Sequence, residues 1–578
     1  METRLSPEKK TFREQLKPTR VDTDLLELGD RKIYWPQKVA VSRQGMISTA
    51  HYRATEAGVE ILEAGGNAFD ASVAAAFALG VCEPAASGLG GQTMLLIHEA
   101  ENGTTVALDG SSRAPNRATV EALSKIERRR GYRAATVPST PAVLRHVLER
   151  YGRLRLSHVL EPAIRLAEHG YEVSVLQRAL LRRELKHLKT HTAGPIFLRD
   201  GARTYQAGTI FKQPALAETL KRLAKKGIKD FYTGQIARAI HDDMVRHDGF
   251  IQSDDLAQVP RPIERRPITT RFDGQRVFTF PLPGAGRTLI EMLNVYQEVP
   301  AAYRDLDRPE GAVLLAEIIR RAFVDRQDRP FDPHLFAQVS EKRMLSQDYA
   351  KLVAQQVFKR IRSHGDTTHL SVMDEEGNTV ALTQSIERVY GSYSATAELG
   401  FLYNNYMSAF EYEDMAHPYY MRPNAAPWAS VAPTIVFRGR RPWLAIGSPG
   451  SERITPSILQ VLIRLQTSTP LASVDAPRLH CSLEGKVSLE ATRMRNDIPE
   501  ALKRQGLQID MRDPYSFYLG CVQLVIRERD NLIGIADPRR DGAAGGPAHT
   551  SKSKFSSTAA KAARKAKTRT ANEGKTTR

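Results

Sequence analysis

Cysteine is scarce in this chain of 578 residues, which contains only three. Cys82, Cys481 and Cys521 form no CxxC pair, and no histidines stand near them at the spacing of a zinc site. The glycine-rich segment 83–91 also lacks the complete GxGxxG pattern that binds dinucleotides. We therefore expect neither a disulfide framework nor a metal site, and we predict no cofactor.

Long apolar runs are absent as well. The longest, from Ala71 to Cys82, is too short to span a bilayer. Residues 1–10 are charged and lack the apolar core of a secretory signal. The sequence therefore predicts a soluble protein of the cytoplasm that makes no membrane contact.

Positive charge is in excess, and the formal net charge is +18 at pH 7. Lysine and arginine are concentrated in residues 552–578, where Phe555 is the only aromatic residue. This composition predicts a disordered basic tail. Two interpretations stay open, namely weak salt-dependent contact with nucleic acid or another anionic surface, and a solvated appendage without a specific partner.

Between a polar arm at residues 1–40 and the tail, helical and strand patterns mix without a regular βαβ alternation. An alanine-rich helix capped by Asp70 is predicted to run through Leu79 and to be buried on all sides. A strand follows near residues 93–97, a long helical section covers 140–250, and strands resume near 276–280.

Two short runs of alternating polarity at residues 367–374 and 379–386 predict a β-hairpin. The segment Glu375-Glu376-Gly377 fits a three-residue loop whose glycine takes the left-handed conformation. Such a loop pairs Asp374 with Asn378 and sets the register of the whole hairpin.

In this register Thr367 lies opposite Ser385, and Thr383, Ser385 and Glu387 share one face because side chains alternate along a strand. If the bond before Thr367 is cut, that residue provides both a hydroxyl nucleophile and an amino-group base. The alternative is an ordinary half-buried hairpin, in which threonine is present for its β-propensity.

The motif Thr367-Thr368-His369, the Gly377-Asn378 turn and the loop Gly447-Ser448-Pro449-Gly450 resemble the γ-glutamyltranspeptidase family of N-terminal nucleophile hydrolases. The resemblance covers about residues 40–545, in order. Further matching stretches are Glu56–Gly58, Gly65–Ala71, Glu83-Pro84, Gly88–Gly91, Pro162–Ala167, Phe231–Gly234, Ala322–Arg326, Ala432–Thr434 and Ala536–Arg540.

The resemblance implies an α+β fold, a four-layer αββα sandwich, and a precursor that cuts itself between Asp366 and Thr367. A large-subunit segment would comprise residues 41–366, a small-subunit segment 367–546 and the tail 547–578. The two subunits from one precursor would stay associated.

For catalysis, the resemblance implies that Thr367 is the nucleophile and that Ser385 is the hydroxyl residue touching it. Gly450 and Ser451 match a Gly-Gly pair whose backbone N–H groups form the oxyanion hole. Serine is acceptable at position 451 if its conformation does not require a positive φ.

Substrate recognition departs from the family pattern. Where transpeptidases use an arginine to bind the substrate carboxylate, this chain has Ser111. Arg113 lies two residues later and would share a face with Ser111 on a strand, so it is a candidate substitute. The position of the aspartate that binds the substrate ammonium is occupied by Ser408 or Ala409.

Two further positions complete the predicted substrate site. The Ser-Ser pair of the family is Ala429-Ser430 here, and Glu387 matches a residue that contacts the substrate amino group. Because a charged pair that loses one partner is costly, ordinary γ-glutamyl binding should be poor unless Arg113 and Glu387 compensate.

Three hypotheses about function remain. The first is a self-processing amidohydrolase or acyltransferase that acts on a small-molecule amide other than a γ-glutamyl compound. The second is a true γ-glutamyltransferase or glutathione hydrolase. The third is a catalytically silent protein that contacts nucleic acid through its basic tail.

Overall fold

Two antiparallel sheets of seven strands each form the centre of the protein. The computed structural model describes residues 26–28, 31–33, 38–259, 261–328, 346, 350 and 367–548. In spatial order the first sheet contains the strands Ala543–Gly545, Gly45–Thr49, Thr368–Asp374, Thr379–Ser385, Gln92–Glu99, Thr104–Gly110 and Ile263–Arg265. The second contains Ile268–Phe272, Gln275–Thr279, Thr434–Arg438, Arg441–Gly447, Gln523–Glu528, Asn531–Ala536 and Val39–Ser42.

Apolar side chains hold the two sheets face to face. Ala381 of the first sheet shares a buried cluster with Ile435 of the second. In the same strand Val380 and Leu382 point the other way, into the core beneath the helices. This alternation follows from the two-residue period of a strand, and it makes each sheet apolar on both faces.

The outer face of the first sheet is covered by helices. Those between residues 52 and 257 are Tyr52–Glu63, Ala68–Cys82, Thr140–Tyr151, Leu156–His169, Val175–Leu188, Gly194–Phe197, Pro214–Lys226, Lys229–Thr233, Gln235–Arg246 and Ser253–Ala257. A short pair of strands, Tyr171–Glu172 with Ile210–Phe211, lies among them. The helical section predicted for residues 140–250 is therefore confirmed.

The predicted alanine-rich helix is confirmed and buried, but its cap is Asn67 and not Asp70. The Asn67 side chain accepts hydrogen bonds from the backbone N–H groups of Phe69 and Asp70, each at 3.0 Å. Asp70 is the third residue of the helix, and its carboxylate accepts from the Asn67 N–H at 3.0 Å. The two side chains form a capping box, in which the acidic residue completes the cap without starting it.

The second sheet has its own helical layer, as a four-layer αββα sandwich requires. Its helices are Gly286–Glu298, Pro309–Asp328, Ile454–Arg464, Pro470–Asp475 and Asp497–Arg504. Beside them lies a small sheet of Leu479–Cys481, Lys486–Leu489 and Gln508–Met511. Ile319 and Ile458 of these helices share a core with Leu444 of the sheet. The predicted α+β sandwich is confirmed.

The hairpin register predicted from the sequence is also confirmed. Thr368 pairs with Gln384, and the same offset holds along the whole ladder. At the loop, the Asp374 N–H donates to the carbonyl oxygen of Asn378 at 3.1 Å. Gly377 has φ +98°, the left-handed conformation expected of it.

Part of the predicted N-terminal arm forms strands. Val39–Ser42 pairs with Asn531–Ala536, so the second sheet already includes residue 39, just inside the predicted arm. Earlier in that arm, Leu26–Leu28 and Arg31–Ile33 pair as a small antiparallel hairpin. Asp366 and residues 549–578, which comprise most of the predicted tail, lie outside the described residues.

Candidate active site

Thr367 stands immediately before the strand Thr368–Asp374, and its side chain is buried. Its Oγ1 donates a hydrogen bond to the Oγ of Ser385, with 3.4 Å between the two oxygens. The contact arises because directly opposed residues of an antiparallel pair have closely spaced side chains. The distance is long for an O–H···O bond, so the hydroxyls touch without a tight interaction.

Ser385 is held from its other side by the chain that follows it. The Glu387 N–H donates to Ser385 Oγ at 2.8 Å. Glu387 has φ +76°, a conformation that costs a non-glycine residue about 1–3 kcal/mol. Such strained turns persist where the surrounding structure requires them, and here the turn orients the Ser385 hydroxyl towards Thr367.

Tyr406 is a neighbour of Ser385 that sequence reasoning missed. Burial raises the pKa of Tyr406, and the Glu387 carboxylate raises it further, while hydrogen bonds with Ser385 and Gln92 act in the opposite sense. The phenol is therefore neutral at physiological pH. Its position after the Asn404-Asn405 pair was visible in the sequence, but nothing local indicated that it reaches the hairpin.

The glycine loop approaches the hairpin because Gly447 packs on His369. A Cβ atom at position 447 would lie 2.2–2.5 Å from three atoms of the imidazole ring, so only glycine fits. The ring is fixed by Thr383 Oγ1 at 2.8 Å from its Nδ1 and by Ser371 Oγ at 3.1 Å from its Nε2. The second sheet thus delivers the loop that follows Gly447 to the region of Thr367.

Gly450 and Ser451 form a tight turn at the start of the helical segment that continues into Ile454–Arg464. Their φ angles are +118° and +54°, so the condition under which serine would be acceptable at position 451 is not met. Ser451 bears a conformational cost of about 1–2 kcal/mol. Backbone N–H groups at a helix N-terminus favour a negative charge, the property that an oxyanion hole needs.

The residue after Thr367 is held by a carboxylate that also binds an arginine. Thr368 Oγ1 donates to Oε2 of Glu83 at 2.5 Å, and Arg540 Nη1 donates to Oε1 of the same carboxylate at 2.7 Å. Glu83 is the C-cap of the buried helix Ala68–Cys82. Sequence reasoning noted Glu83 and Arg540 only as parts of motifs, since their contact joins residues 457 positions apart.

Arg113 contacts the Asn424 carbonyl oxygen, to which its Nη1 donates at 2.9 Å, and its backbone bridges to Val137. Ser111, at the position of the family arginine, donates through its Oγ to Asp109 at 2.6 Å. The second oxygen of Asp109 accepts from Arg265 at 2.9 Å. Arg113 follows Ser111, the position of the family arginine, by two residues in the sequence. Its guanidinium, however, contacts Asn424 and not the Thr367–Ser385 pair.

Ser408 and Ser430, two other predicted substrate-binding positions, differ in their contacts. Ser408 folds back, and its Oγ donates to the Asn405 carbonyl at 2.9 Å. Ser430 is partly exposed and accepts from Nη2 of Arg326 at 3.3 Å. Arg326 was quoted in the sequence only as the end of a matching stretch, and its proximity to Ser430 depends on packing between distant segments.

Within the described residues, no group of three or more His, Cys, Asp or Glu side chains is arranged to hold a metal ion. In the same part of the chain, no helix is long and apolar enough to cross a membrane.

Known proteins share this arrangement of the chain. The profile of the gamma-glutamyltranspeptidase family matches residues 54–546. The chain belongs to the gamma-glutamyltranspeptidase family. It is 30% identical over 535 residues to the glutathione hydrolase proenzyme of Escherichia coli (strain K12), a match that covers 86% of this chain and 91% of that protein.

A second relative of this family member is the acylase ACY 1 proenzyme of Pseudomonas sp. (strain V22), which is 32% identical over 535 residues. That match covers 88% of this chain and 94% of the acylase. Among solved structures, the cephalosporin acylase of Bacillus halodurans superposes with a TM-score of 0.81 at 28% identity, covering 89% of this chain and 97% of that one. The family member is therefore an N-terminal nucleophile hydrolase, an enzyme of amide hydrolysis or acyl transfer.

Proposed function

We propose that this enzyme is a self-processing threonine amidohydrolase that forms an acyl-enzyme on Thr367 and uses an acyl donor other than an ordinary γ-glutamyl compound. The contact of Thr367 Oγ1 with Ser385 Oγ carries the proposal. It sets a buried hydroxyl at the start of a strand, where cleavage of the preceding bond would make it N-terminal.

Processing would begin with attack of Thr367 Oγ1 on the carbonyl carbon of Asp366. The Asp366–Thr367 amide breaks as the ester forms, and the proton of the hydroxyl moves to the departing nitrogen. Water then hydrolyses the ester, so that Asp366 ends in a carboxylate and Thr367 gains a free amino group. With a reference pKa of about 7.7–8.0, that amine can accept a proton near neutral pH.

Turnover would repeat the same chemistry on a substrate amide. The Thr367 amine takes the hydroxyl proton, the oxygen attacks the amide carbonyl, and the amine product leaves with a proton. The N–H groups of Gly450 and Ser451 would hold the negative oxygen of the tetrahedral intermediate, and losing one such donor typically lowers the rate about 10²- to 10³-fold. Water or an acceptor amine then releases the acyl group.

An altered acyl donor is supported by the residues that replace the family's charged groups. Ser111 engages Asp109, and Ser408 engages the Asn405 carbonyl, so both hydroxyls have internal partners. Neither supplies the charge that would pair with a zwitterionic γ-glutamyl group. Only Glu387 keeps a charge where the family pattern has a residue that contacts the substrate amine.

Intact-mass measurement of the purified full chain tests self-processing. We expect two associated chains, the smaller of which begins at Thr367, and a single uncut chain for the variant Thr367→Ala. A wild-type protein that stays uncut under folding conditions would contradict the proposal. Retention on heparin, compared with and without residues 547–578, tests the tail separately, and unchanged retention would contradict nucleic-acid contact through the tail.

Donor preference is tested with γ-glutamyl-p-nitroanilide. We expect slow turnover of this compound by the processed enzyme. If turnover is normal and collapses in Arg113→Ala, Arg113 replaces the family arginine and the enzyme is a true γ-glutamyltransferase or glutathione hydrolase. In that outcome self-processing stands and the altered preference is wrong.

A further inference from the structure

Gln92 lies beside Ser385 in the first sheet. It is the first residue of its strand and pairs directly with Ser385, the last residue of the neighbouring strand. Such a pair places both side chains on one face, with Cβ atoms about 4.5–5.5 Å apart. The register of the hairpin, continued by one residue, places Thr367 on the other side of Ser385. The row of Thr367, Ser385 and Gln92 continues the face of Ala381 and Met94, which packs against the second sheet.

The carboxamide of Gln92 is held in one orientation. Its Oε1 accepts from the backbone N–H of Ser112 at 2.8 Å and from Ser112 Oγ at 2.9 Å. Ser112 Oγ lies 2.7 Å from Thr136 Oγ1, and the three side chains are buried. Because the oxygen of the amide is fixed by two hydrogen bonds, its NH₂ group points away from Ser112.

Asn404 fixes the far end of this chain of hydrogen bonds. Its Oδ1 accepts from the backbone N–H groups of Thr136 and Tyr406, each at 3.0 Å. Its Nδ2 donates to the carbonyl oxygens of Gly90 at 2.8 Å and Thr136 at 2.9 Å. Asn404 belongs to the predicted small-subunit segment and Gln92 to the large one. Residues from both sides of the predicted cleavage site therefore set the orientation of Gln92.

The Nε2 of Gln92 is shielded from solvent, and no acceptor among the described residues lies at the distance and angle of a full hydrogen bond. It acts on the Tyr406 hydroxyl, as Ser385 does, so the three side chains share one small region. A buried donor that lacks a full partner is rare and costly, and a role in the reaction is one of the usual reasons for keeping it.

An acceptor for this donor arises when Thr367 reacts as proposed. In the structure Thr367 Oγ1 donates to Ser385 Oγ, which also accepts from the Glu387 N–H. Once the Thr367 hydroxyl has given up its proton, to the Thr367 amine during turnover, Ser385 must turn its own O–H towards that oxygen. A serine oxygen has one proton and two lone pairs, so the turn opens a lone pair on the side that the O–H has left.

We propose that Gln92 is a positioning residue whose Nε2 donates to this lone pair and holds the Ser385 hydroxyl in its reversed orientation. The inference rests on the proposed function, because it assigns Gln92 an effect on Thr367 through Ser385. The hydrogen bond forms only after Thr367 has lost its proton. It therefore speeds the chemical step and leaves substrate binding unchanged.

Gln92→Met keeps the length of the side chain and removes its hydrogen bonds. With γ-glutamyl-p-nitroanilide and fully cleaved enzyme, we expect kcat to fall about 5- to 10-fold, the usual value of one neutral hydrogen bond, and KM to stay within about twofold. Combination with Ser385→Ala should cost no more than Ser385→Ala alone, because the two changes remove one interaction. A raised KM with normal kcat would show that Gln92 binds substrate and would overturn the positioning role.

The matched control is Gln384→Met. Gln384 is equally buried, and it lies on the opposite face of the sheet, where its Nε2 donates to the Ala76 carbonyl at 3.0 Å. Its loss should leave kcat unchanged. Equal losses of kcat in Gln92→Met and Gln384→Met would mean that general disturbance of the sheet slows the reaction, and they would overturn the inference.

Gln92→Glu gives a readout that a purely structural role would not move. Glutamate keeps the oxygen that Ser112 engages, but it can donate to Ser385 only when it is protonated. Since burial raises the pKa of a carboxyl group, we expect the rate of self-cleavage, relative to wild type at the same pH, to rise as the pH falls from about 8 to about 6. A ratio that does not change with pH would contradict the proposed donor.

The wild-type protein separates this inference from the proposed function. If the wild type stays uncut, the proposed function fails and the inference fails with it. If the wild type cuts itself and Gln92→Met, with unchanged stability in urea, does so equally fast, only the positioning role of Gln92 is refuted. Gel analysis of cleavage over time measures both rates on the full chain.

Discussion

The hydroxyl oxygens of Thr367 and Ser385 lie 3.4 Å apart, where the register of one antiparallel hairpin continues one residue beyond the Thr368–Gln384 pair. Replacing Ser385 with alanine removes the hydrogen-bond acceptor and leaves the backbone register intact. We expect about 5- to 10-fold slower self-cleavage and a similar loss in kcat, the usual value of one neutral hydrogen bond. Gel analysis of cleavage over time measures the first effect, and Ser385→Thr, which keeps a hydroxyl, serves as control.

Glu83 should act on Thr367, the proposed nucleophile, through Thr368. Glu83→Gln keeps the shape of the side chain but removes the charge that Thr368 and Arg540 both engage. We expect cleavage and turnover to fall about 10-fold or more, because charged hydrogen bonds are the stronger ones. If Thr368 transmits the effect, Glu83→Gln combined with Thr368→Val should be no slower than the slower single variant. Additive losses would show that Glu83 acts by another route.

Gly447→Ala tests how the two sheets are joined. Its Cβ would enter the ring of His369, so we expect about 1–3 kcal/mol lower stability and impaired self-cleavage. The control is Gly439→Ala in the turn of the same hairpin, where a Cβ would meet nothing within 4 Å and φ is +62°. That variant should lose about 1 kcal/mol from backbone strain and mature normally. Urea unfolding and intact mass measure the two effects, and normal maturation of Gly447→Ala would contradict the account.

The two residues of the proposed oxyanion loop should respond in opposite ways to substitution. Gly450→Ala brings a side chain to φ +118° and within 3.2 Å of the Gly520 Cα, so we expect a large loss of kcat. Ser451→Gly relieves backbone strain at φ +54° but raises the conformational entropy of the unfolded chain. The two effects oppose each other, so the stability of this variant should change little and its activity should be kept. Loss of activity in Ser451→Gly would show that the serine side chain itself takes part.

Stability should fall in mild acid because His369 is buried as the neutral imidazole. Burial lowers the pKa of His369 to about 3, against 6.5 for an ordinary histidine. Between these values the unfolded chain binds a proton that the folded protein does not, so stability declines as the pH falls. At pH 5 one such group removes about 2 kcal/mol relative to pH 7.

His369→Gln should reduce that pH dependence by about the same amount, as measured by urea unfolding at pH 7 and pH 5. His98 is the matched control, since burial lowers its pKa to about 4 and it lies opposite Thr379 at the far end of the hairpin. His98→Gln should reduce the pH dependence of stability by a comparable amount without slowing self-cleavage. An unchanged pH dependence in both variants would mean that other groups dominate.

The hairpin that contains Ser385 and follows Thr367 could be predicted from the sequence because its determinants are local. Gly377 sets the turn, alternation sets the faces, and together they place Thr367 opposite Ser385 without reference to any other part of the chain. The αββα sandwich and the reaction class followed from motifs spread over most of the sequence. The predicted N-cap of the alanine-rich helix, Asp70, was wrong by three residues, because Asn67 is the N-cap and Asp70 completes its capping box.

The contacts that complete the site depend on tertiary structure. They join segments that are far apart in the sequence, and no local sequence pattern indicates that these segments meet. Gly447 meets His369 only when the two sheets stack, and Glu83 meets Arg540 only when the last strands return to the first helices. Serine rarely adopts a positive φ, so the sequence did not indicate this conformation at Ser451. The turn of Gly450 and Ser451 packs against Gly520. The sequence by itself determined where Thr367, the proposed nucleophile, and its hydroxyl neighbour Ser385 lie in the hairpin. Tertiary packing alone decided that Arg326, near the end of the helix Pro309–Asp328, contacts Ser430.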